Sequence, residues 1–500
     1  MKKGIKILLV GGGTAGANVA KNLSRDFDVT IFEKGKNKLI PLFYRIPLMV
    51  GLLFQRSKGF VDKINIKFNS DRNVPFYQSN FIGGASVING CVHVMGNQAR
   101  WKGMLDRFGL SLNDLRKSYE KIFSKKSAYR KIKLTAAKEG FLERCFRAAL
   151  KEKGIPAGDV EWTDAIGSGM VLNTTNWYIR SSVLDLKPFG QSKVIDDCEI
   201  ERLVVDKNKK IVGVFDGKRM FLGDVVFVCA GVIGTNKLLL SQAIRVDTGE
   251  LIDLDLNAGN RIKDHTNLRV NVKASIRLGS LNEIEASLVE KFKLVAKYVI
   301  GMWTMMRGTG ATATANIDIC GDGFVDTRIN LLRFYEDGRL GSMGKLFTSK
   351  KPGFSISITQ INPKSVGVVD YRATDLQVVP NYLSDSRDME HLKKALKYVL
   401  DILDTPPISD FVEKINDLEM IRTAPEKYIL ENTYSGYHLI GGCEHLLGCD
   451  FEVKDYPNLY LCDASIISEY PSPNIHSTVA LLADLCAAKF LRKHREWLGR

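Results

Sequence analysis

The 500-residue chain has no Cys-x-x-Cys pair, no basic run interleaved with aromatic residues, and no uninterrupted apolar run of membrane-spanning length. Each absence removes a class. Nine cysteines (Cys91, Cys145, Cys198, Cys229, Cys320, Cys443, Cys449, Cys462 and Cys486) are odd in number and scattered, several of them inside apolar runs. That usage belongs to a reducing compartment and not to a disulfide-stapled scaffold. Cys443 and Cys449 lie near His438 and His445 without zinc-ligand spacing, so no metal is expected. The most apolar stretch, 39–54, is interrupted by Pro41, Arg45 and Pro47, whereas a bilayer span needs about twenty continuous apolar residues. It reads either as buried loop and helix beside a cofactor or as a membrane-docking surface. The first residues already have strand character and leave no room for a signal peptide. A cytoplasmic protein is expected, with peripheral membrane contact left open.

What is present is bulk and positive charge. With 45% hydrophobic content, 500 residues can bury an enzyme-sized core. The excess of 71 Lys and Arg over 56 Asp and Glu, a net +15, is spread along the chain, which argues against a nucleic-acid stripe. It fits an anionic cofactor, an acidic substrate, an anionic membrane surface or merely a solvated basic exterior.

Ile5 to Val10 is an apolar strand ending in Gly11-Gly12-Gly13-Thr14-Ala15-Gly16, followed by a helical stretch from Ala17 to Leu23. A strand that ends in G-x-G-x-x-G supplies a tight turn at Gly11, a side-chain-free approach to a pyrophosphate at Gly13, and close helix packing at Gly16. Thr14 and Ala15 then stand where the helix N-terminus faces the phosphates. A second strand, Val29 to Phe32, ends in Glu33, at about the twenty-residue spacing at which a carboxylate meets ribose hydroxyls. Together these predict a dinucleotide site.

Gly83-Gly84-Ala85-Ser86-Val87-Ile88-Asn89-Gly90-Cys91-Val92-His93-Val94-Met95-Gly96 crowds small residues into an apolar stretch, so backbone must pass close to something there. This G-G-x-S-x-x-N-G-x-V-x-V-x-G pattern resembles the first signature of the glucose–methanol–choline (GMC) oxidoreductases, FAD enzymes that oxidise alcohols. The resemblance implies FAD contacts at Gly84, Ser86 and Asn89. It also implies non-covalent binding, because relatives that tether the flavin through this segment carry histidine where this chain has Ile88.

The resemblance extends along most of the chain. Lys193-Val194-Ile195 begins a strand whose Val194 or Ile195 meets the adenine in relatives. Val225 to Thr235, with Ala230 at the turn, is similar to the second signature and its following helix, expected here over Asn236 to Ser241. Relatives usually have Ser-Pro in place of Thr235-Asn236. Gly259 to His265 resembles G-x-x-L-x-D-H, with His265 structural. Val270–Leu278, Phe354–Thr359 and Val366–Tyr371 alternate as strands of an antiparallel sheet. Pro380 to Asp385 and a helix from Met389 to Leu403 open the C-terminal region. Residues 294–306, with Met302, Trp303, Met305 and Met306, read as core or as a hydrophobic substrate gate.

Tyr437-His438-Leu439-Ile440-Gly441-Gly442-Cys443 resembles H-x-x-G-T-C, and Leu459 to Ser465 a strand ending in D-A-S, with Asp463 and Ala464 at the cofactor. Pro471 to Thr478 then opens a helix expected over Val479 to Leu491. Asn474 and Ile475 are expected at the flavin, and His476 stands where relatives place a second histidine or an asparagine. An alcohol gives hydride to a flavin only as its hydroxyl proton leaves, so a neutral imidazole is wanted as base. The resemblance assigns that part to His438 and alkoxide positioning to His476, with exchange of roles open.

The fold class expected is α/β (α+β overall). A discontinuous Rossmann-like FAD-binding domain (1–100, 190–268 and 434–500) would carry an inserted substrate-binding domain of antiparallel sheet and helices (101–189 and 269–433). The expected partners are a small alcohol, such as a sugar, polyol or hydrophobic alcohol, and oxygen or another electron acceptor. A decarboxylase or lyase on the same fold, or a non-catalytic flavin-binding partner protein, are the alternatives; the histidine pair argues against both.

Overall fold

The computed structural model describes residues 4–36, 42–49, 61–68, 72–123, 132–176, 179–186, 190–336, 350–372 and 375–498. Of the apolar stretch 39–54, only 42–49 falls among them. The strands that build the two main sheets are β1 (Lys6–Val10), β2 (Asp28–Phe32), β3 (Gly167–Met170), β4 (Lys193–Ile195), β5 (Val225–Val228), β6 (Thr266–Ala274), β7 (Ala311–Ile317), β8 (Thr327–Leu332), β9 (Gly353–Gln360), β10 (Val412–Ile415) and β11 (Leu459–Leu461). The helices that position the site are α1 (Thr14–Leu23), α2 (Gln98–Arg107), α3 (Leu112–Phe123), α4 (Phe141–Glu152), α5 (Gly231–Leu240), α6 (Leu288–Val299), α7 (Ser386–Leu403) and α8 (His476–Lys493).

Lys-Ile-Leu-Leu-Val and Val-Val-Phe-Val are continuous apolar runs because both faces of their sheet are covered. That sheet is parallel, in the order β4-β2-β1-β5-β11, and draws its strands from three separated parts of the chain. Its core holds Ile7, Leu9, Val29, Ile31, Phe227 and Leu461, with α1 packed against α8 on one face. The helices α2 and α3, assigned from sequence to the substrate-binding part, bury Trp101, Leu105, Leu115 and Ile122 in this same core. The second of them, α3, packs against α8, a contact local periodicity does not carry.

The second main sheet is antiparallel, in the order β10-β6-β9-β8-β7-β3, with Tyr434–Ser435 also pairing on β6. Its strands alternate because its two faces meet different surroundings. Leu268, Val270, Ile329, Leu331, Phe354, Ile356 and Ile358 point into a core closed by α4 and α7. The residues between them, Asn267, Arg269, Arg328, Asn330, Ser357 and Thr359, line a cavity shared with the parallel sheet. The first of these strands begins four residues earlier than the alternation predicted, because Thr266 pairs with Ser435 and extends the ladder.

Four helix starts also move: α1 begins at Thr14, not Ala17, and α7 at Ser386, not Met389. The second-signature helix begins at Gly231, not Asn236, since the carboxylate of distant Asp463 accepts from the Gly231 N–H (2.8 Å) and caps the end. The last helix begins at His476, three residues before Val479.

Candidate active site

A cavity of about 1250 Å³ lies between the carboxyl ends of β1 and β5 and the polar face of the antiparallel sheet. Its nucleotide end is shaped by glycines. Gly11 has φ +97°, and a Cβ there would stand 2.5 Å from the Cys229 carbonyl oxygen. A Cβ on Gly16 would stand 1.9 Å from the Gly11 oxygen, so Gly16 packs helix on turn and does not itself reach the cavity. Gly13 and Gly84 face each other so closely that a Cβ on Gly84 would lie 2.8 Å from the Gly13 Cα. Gly13, Thr14 and Ala15 thus open the N-terminus of α1 onto the cavity.

Glu33 closes this end. It is 6% exposed, and its two oxygens accept from Gly12 N and Gly35 N, both at 2.8 Å. Burial raises its pKa against those two hydrogen bonds. Each oxygen keeps a lone pair for a hydroxyl. A buried carboxylate at a strand end, a glycine cradle and a helix N-terminus are the donor and acceptor set of an FAD adenosine and pyrophosphate.

Val194 and Ile195 do not reach the wall. They pair with Ile31 and Phe32 inside the sheet, and the lining residues beyond them are Cys198, Glu199, Ile200 and Glu201. The rule that ligands bind outside the carboxyl ends of the strands points to this loop and not to the strand. Ser86 is likewise turned inward, fully buried and donating to the Gly83 carbonyl (2.7 Å). Ala85 and Ile88 line the cavity beside it, and Asn89, also on the wall, accepts from the buried Arg180 (2.5 Å). Ala230, Asp463 and Ala464 border the cavity at the start of α5. Both Asp463 oxygens are used locally, by Gly231 N, Thr235 Oγ1 (2.6 Å) and Ser465 N (2.8 Å).

At the other end His438, Asn474, Ile475 and His476 share the wall with Ile88 to Val92. The first signature and the last loop are locked together at Gly96 (φ +89°), whose Cβ would stand 1.9 Å from the Pro471 oxygen, and by Asn97 N donating to that oxygen (2.7 Å). His438 is held at both backbone ends. Its N–H donates to Asp264 Oδ1 (2.8 Å), and its carbonyl accepts from Tyr470 Oη (2.8 Å). Asp264 also receives Ser435 Oγ (2.5 Å) and the Tyr382 hydroxyl, and burial lifts its pKa to about 6. Tyr470 stacks on His265 at 3.7 Å, and the His265 ring, whose Nδ1–H donates to the Gln360 backbone oxygen (2.9 Å), stands edge-on to His438. His265 does not reach the cavity wall.

The His438 Nε2 lies 3.3 Å from the Asn474 amide nitrogen, while its Nδ1 has no partner among the described residues. Burial holds this imidazole down at about 4 and that of His476 at about 3, so both are neutral at pH 7. Both ring nitrogens of His476 lack partners among the described residues. The group placed against His438 is thus Asn474 and not His476. The sequence reading missed Asp264 as the residue that positions His438, although the D-H pair that contains it was visible.

Two departures from the family pattern meet in space. Asn236 donates to the Val232 and Gly441 carbonyls (2.8 and 3.2 Å) and accepts from Gly259 N (2.7 Å). A Cβ on Gly442 (φ +100°) would lie 2.5 Å from its Oδ1. A side chain at position 442 would therefore collide with the Asn236 amide.

Two family models, both described as GMC oxidoreductase, match residues 5–267 and 363–483. The chain is 22% identical over 562 residues to the oxygen-dependent choline dehydrogenase of Vibrio vulnificus, covering 99% of this chain and 95% of that one. It is 21% identical over 547 residues to an alcohol dehydrogenase [acceptor] of Pseudomonas putida, covering 97% and 95%. Among solved structures, a formate oxidase of Aspergillus oryzae superposes with a TM-score of 0.83 at 17% identity, covering 99% of this chain and 100% of that one. The pyridoxine 4-oxidase from Mesorbium loti gives 0.80 at 18%, covering 98% and 99%. With its fingerprint, both signatures and the C-terminal histidine motif joined around one cavity, the chain belongs to the GMC oxidoreductases, a family of FAD-binding enzymes.

Proposed function

We propose that the protein oxidises a primary or secondary alcohol to the carbonyl compound, with His438 as base and FAD held without a covalent link. The observation that carries this reading is the unprotonated His438 imidazole with the Asn474 amide 3.3 Å from its Nε2, on the wall of the cavity that the glycine signature also lines. Bound FAD supplies the hydride acceptor. His438 Nε2 takes the hydroxyl proton, and a neutral imidazole suits that task. The Asn474 amide donates to the same oxygen as negative charge grows on it, the part the sequence reading gave to His476. His476 adds two uncommitted ring nitrogens in the first turn of α8, whose dipole makes that end of the cavity positive. Ile88, 6% exposed on the same wall, offers no atom for a tether. Relatives named for choline and alcohol dehydrogenation, and neighbours named for pyridoxine and aryl-alcohol oxidation, support the alcohol reading. Oxygen or another electron acceptor would take up the electrons removed from the alcohol.

The test is anaerobic mixing of the purified yellow protein with sugars, polyols, aryl alcohols and long-chain alcohols. At least one class bleaches the visible flavin absorption, and acid precipitation releases intact FAD. A flavin that dithionite reduces but no alcohol does, or flavin left in the pellet, overturns the corresponding part.

A further inference from the structure

Helix α6 turns its apolar side outward. At about 100° per residue, Val295, Leu288, Val299, Phe292, Ala296 and Val289 fall in one continuous arc of about 120°. The side chains in this arc stand in solvent: Leu288 is 74% exposed, Phe292 75%, Val299 69% and Val289 61%. Ile300 and Met302, just past the helix, extend the patch at 71% and 50%. The opposite side holds the helix down through buried Tyr298 and through Leu294, which lines the cavity. Lysines fringe the arc, with Lys293 and Lys297 along one edge and Lys291 along the other; Lys293 pairs with Glu290 (3.0 Å) and Lys291 with Glu285 (2.9 Å).

A water-facing helix normally shows the reverse pattern, and an exposed apolar patch rimmed by polar groups marks an interaction surface. We propose that α6 docks the protein onto an anionic lipid bilayer, lying in the interfacial plane with Leu288, Phe292 and Val299 among the acyl chains. An apolar stripe bordered by lysines is the pattern of an interfacial helix, and at 12 residues α6 is too short to span a bilayer. The net charge of +15 favours an anionic surface. It disfavours a second copy of the chain, since pairing two arcs would bring their lysine borders together.

The placement also names a substrate class. The same helix lines the cavity with Lys291, Leu294 and Val295, next to Leu281, Ile284 and Met306. An alcohol with a long apolar tail, dissolved in the lipid, meets an apolar entrance that leads towards His438. This second statement rests on the proposed alcohol oxidation; the docking does not.

The experiment is cosedimentation of the FAD-bound full-length protein with large unilamellar vesicles of phosphatidylcholine and phosphatidylserine (3:1), or of phosphatidylcholine alone. The anionic vesicles bind the protein, and binding weakens with salt and without phosphatidylserine. Leu288→Ser, Phe292→Ser and Val299→Ser, all outside the cavity wall, each lower vesicle affinity about 10-fold or more, as loss of one buried large apolar side chain implies. Their reduction by a short water-soluble alcohol and their thermal melts stay as in the wild type. Absence of vesicle binding, or equal binding by the variants, overturns the docking. A concentration-dependent dimer that the same variants abolish, without vesicle binding, assigns the face to a second copy and overturns it too. Wild-type binding with no faster reduction of long-chain alcohols presented in vesicles, alongside intact reduction by short alcohols, removes the substrate class alone. No reduction by any alcohol removes the catalytic reading and leaves the docking standing.

Discussion

Removing the Glu33 carboxylate acts on two things that the structure separates. In the protein alone, its oxygens satisfy the N–H groups of Gly12 and Gly35, both at 2.8 Å in a buried site. Glu33→Ala leaves both N–H groups unpaired, at roughly 1–3 kcal/mol each, so the apoprotein loses about 2–6 kcal/mol of stability. If the remaining lone pairs accept the two ribose hydroxyls, two hydrogen bonds to a charged group also vanish. At roughly 1.5–3 kcal/mol each, they weaken FAD binding by about 3–6 kcal/mol, or a factor of about 10² to 10⁴. Glu33→Gln keeps the size and one acceptor oxygen, so it restores part of the stability while FAD binding still falls. The assay is titration of apoprotein with FAD by fluorescence quenching, paired with thermal melts of the apoprotein. The reduction rate of whatever holoenzyme forms should change little, since Glu33 lies at the nucleotide end of the cavity. An unchanged FAD dissociation constant in Glu33→Ala refutes the ribose contact, whatever happens to stability.

Four further outcomes follow from the geometry. Because burial holds the His438 imidazole at about 4, the rate of flavin reduction should be level above about pH 5 and fall as pH drops through about 4, where the proton acceptor is lost. The same depression means that the unfolded chain binds this proton from its ordinary value of 6.5 while the folded chain does not. Stability should therefore fall as pH is lowered from about 6.5 towards 4, by up to about 1.4 kcal/mol per pH unit for this residue, and His438→Gln should flatten that slope in denaturant titrations. Asp264→Asn, which loosens the grip on the His438 backbone, should slow reduction by about 10- to 100-fold at unchanged FAD content; an unchanged rate would show that Asp264 serves folding alone. Gly442→Ala should destabilise by about 1–3 kcal/mol, because its φ is left-handed and its Cβ meets the Asn236 amide, and the added substitution Asn236→Ala should relieve the contact part of that cost in thermal melts.

The residues that the sequence makes legible are those whose chemistry is local. The fingerprint from Ile5 to Glu33 identifies its turn, helix and acid because each glycine answers a constraint within the same βαβ unit. His438 is legible because its motif is contiguous. What escapes is set by distant partners. The start of α5 depends on a carboxylate 232 residues away, the fixing of His438 on Asp264, 174 residues away. The cavity wall is met past Ile195, at Cys198 to Glu201, because Val194 and Ile195 are engaged in pairing with β2. The pairing of Asn474 with His438 is hidden because one turn decides which of two nearby side chains, Asn474 or His476, swings towards the ring. Residues 294–306 read in sequence as core or gate; Met305 and Met306 are buried, and only the fold shows that Val295, Val299, Ile300 and Met302 face outward.

The central claim is that His438 removes the alcohol's proton as hydride leaves for the flavin. The measurement that tests it most directly is the anaerobic stopped-flow rate of flavin bleaching at saturating alcohol, in wild type and in His438→Ala of equal FAD content. Loss of a general base predicts a fall of about 10²- to 10⁴-fold, with the rate of the variant rising more steeply as the alcohol becomes more acidic. A variant that bleaches at the wild-type rate, with the same dependence on alcohol acidity, would contradict the account.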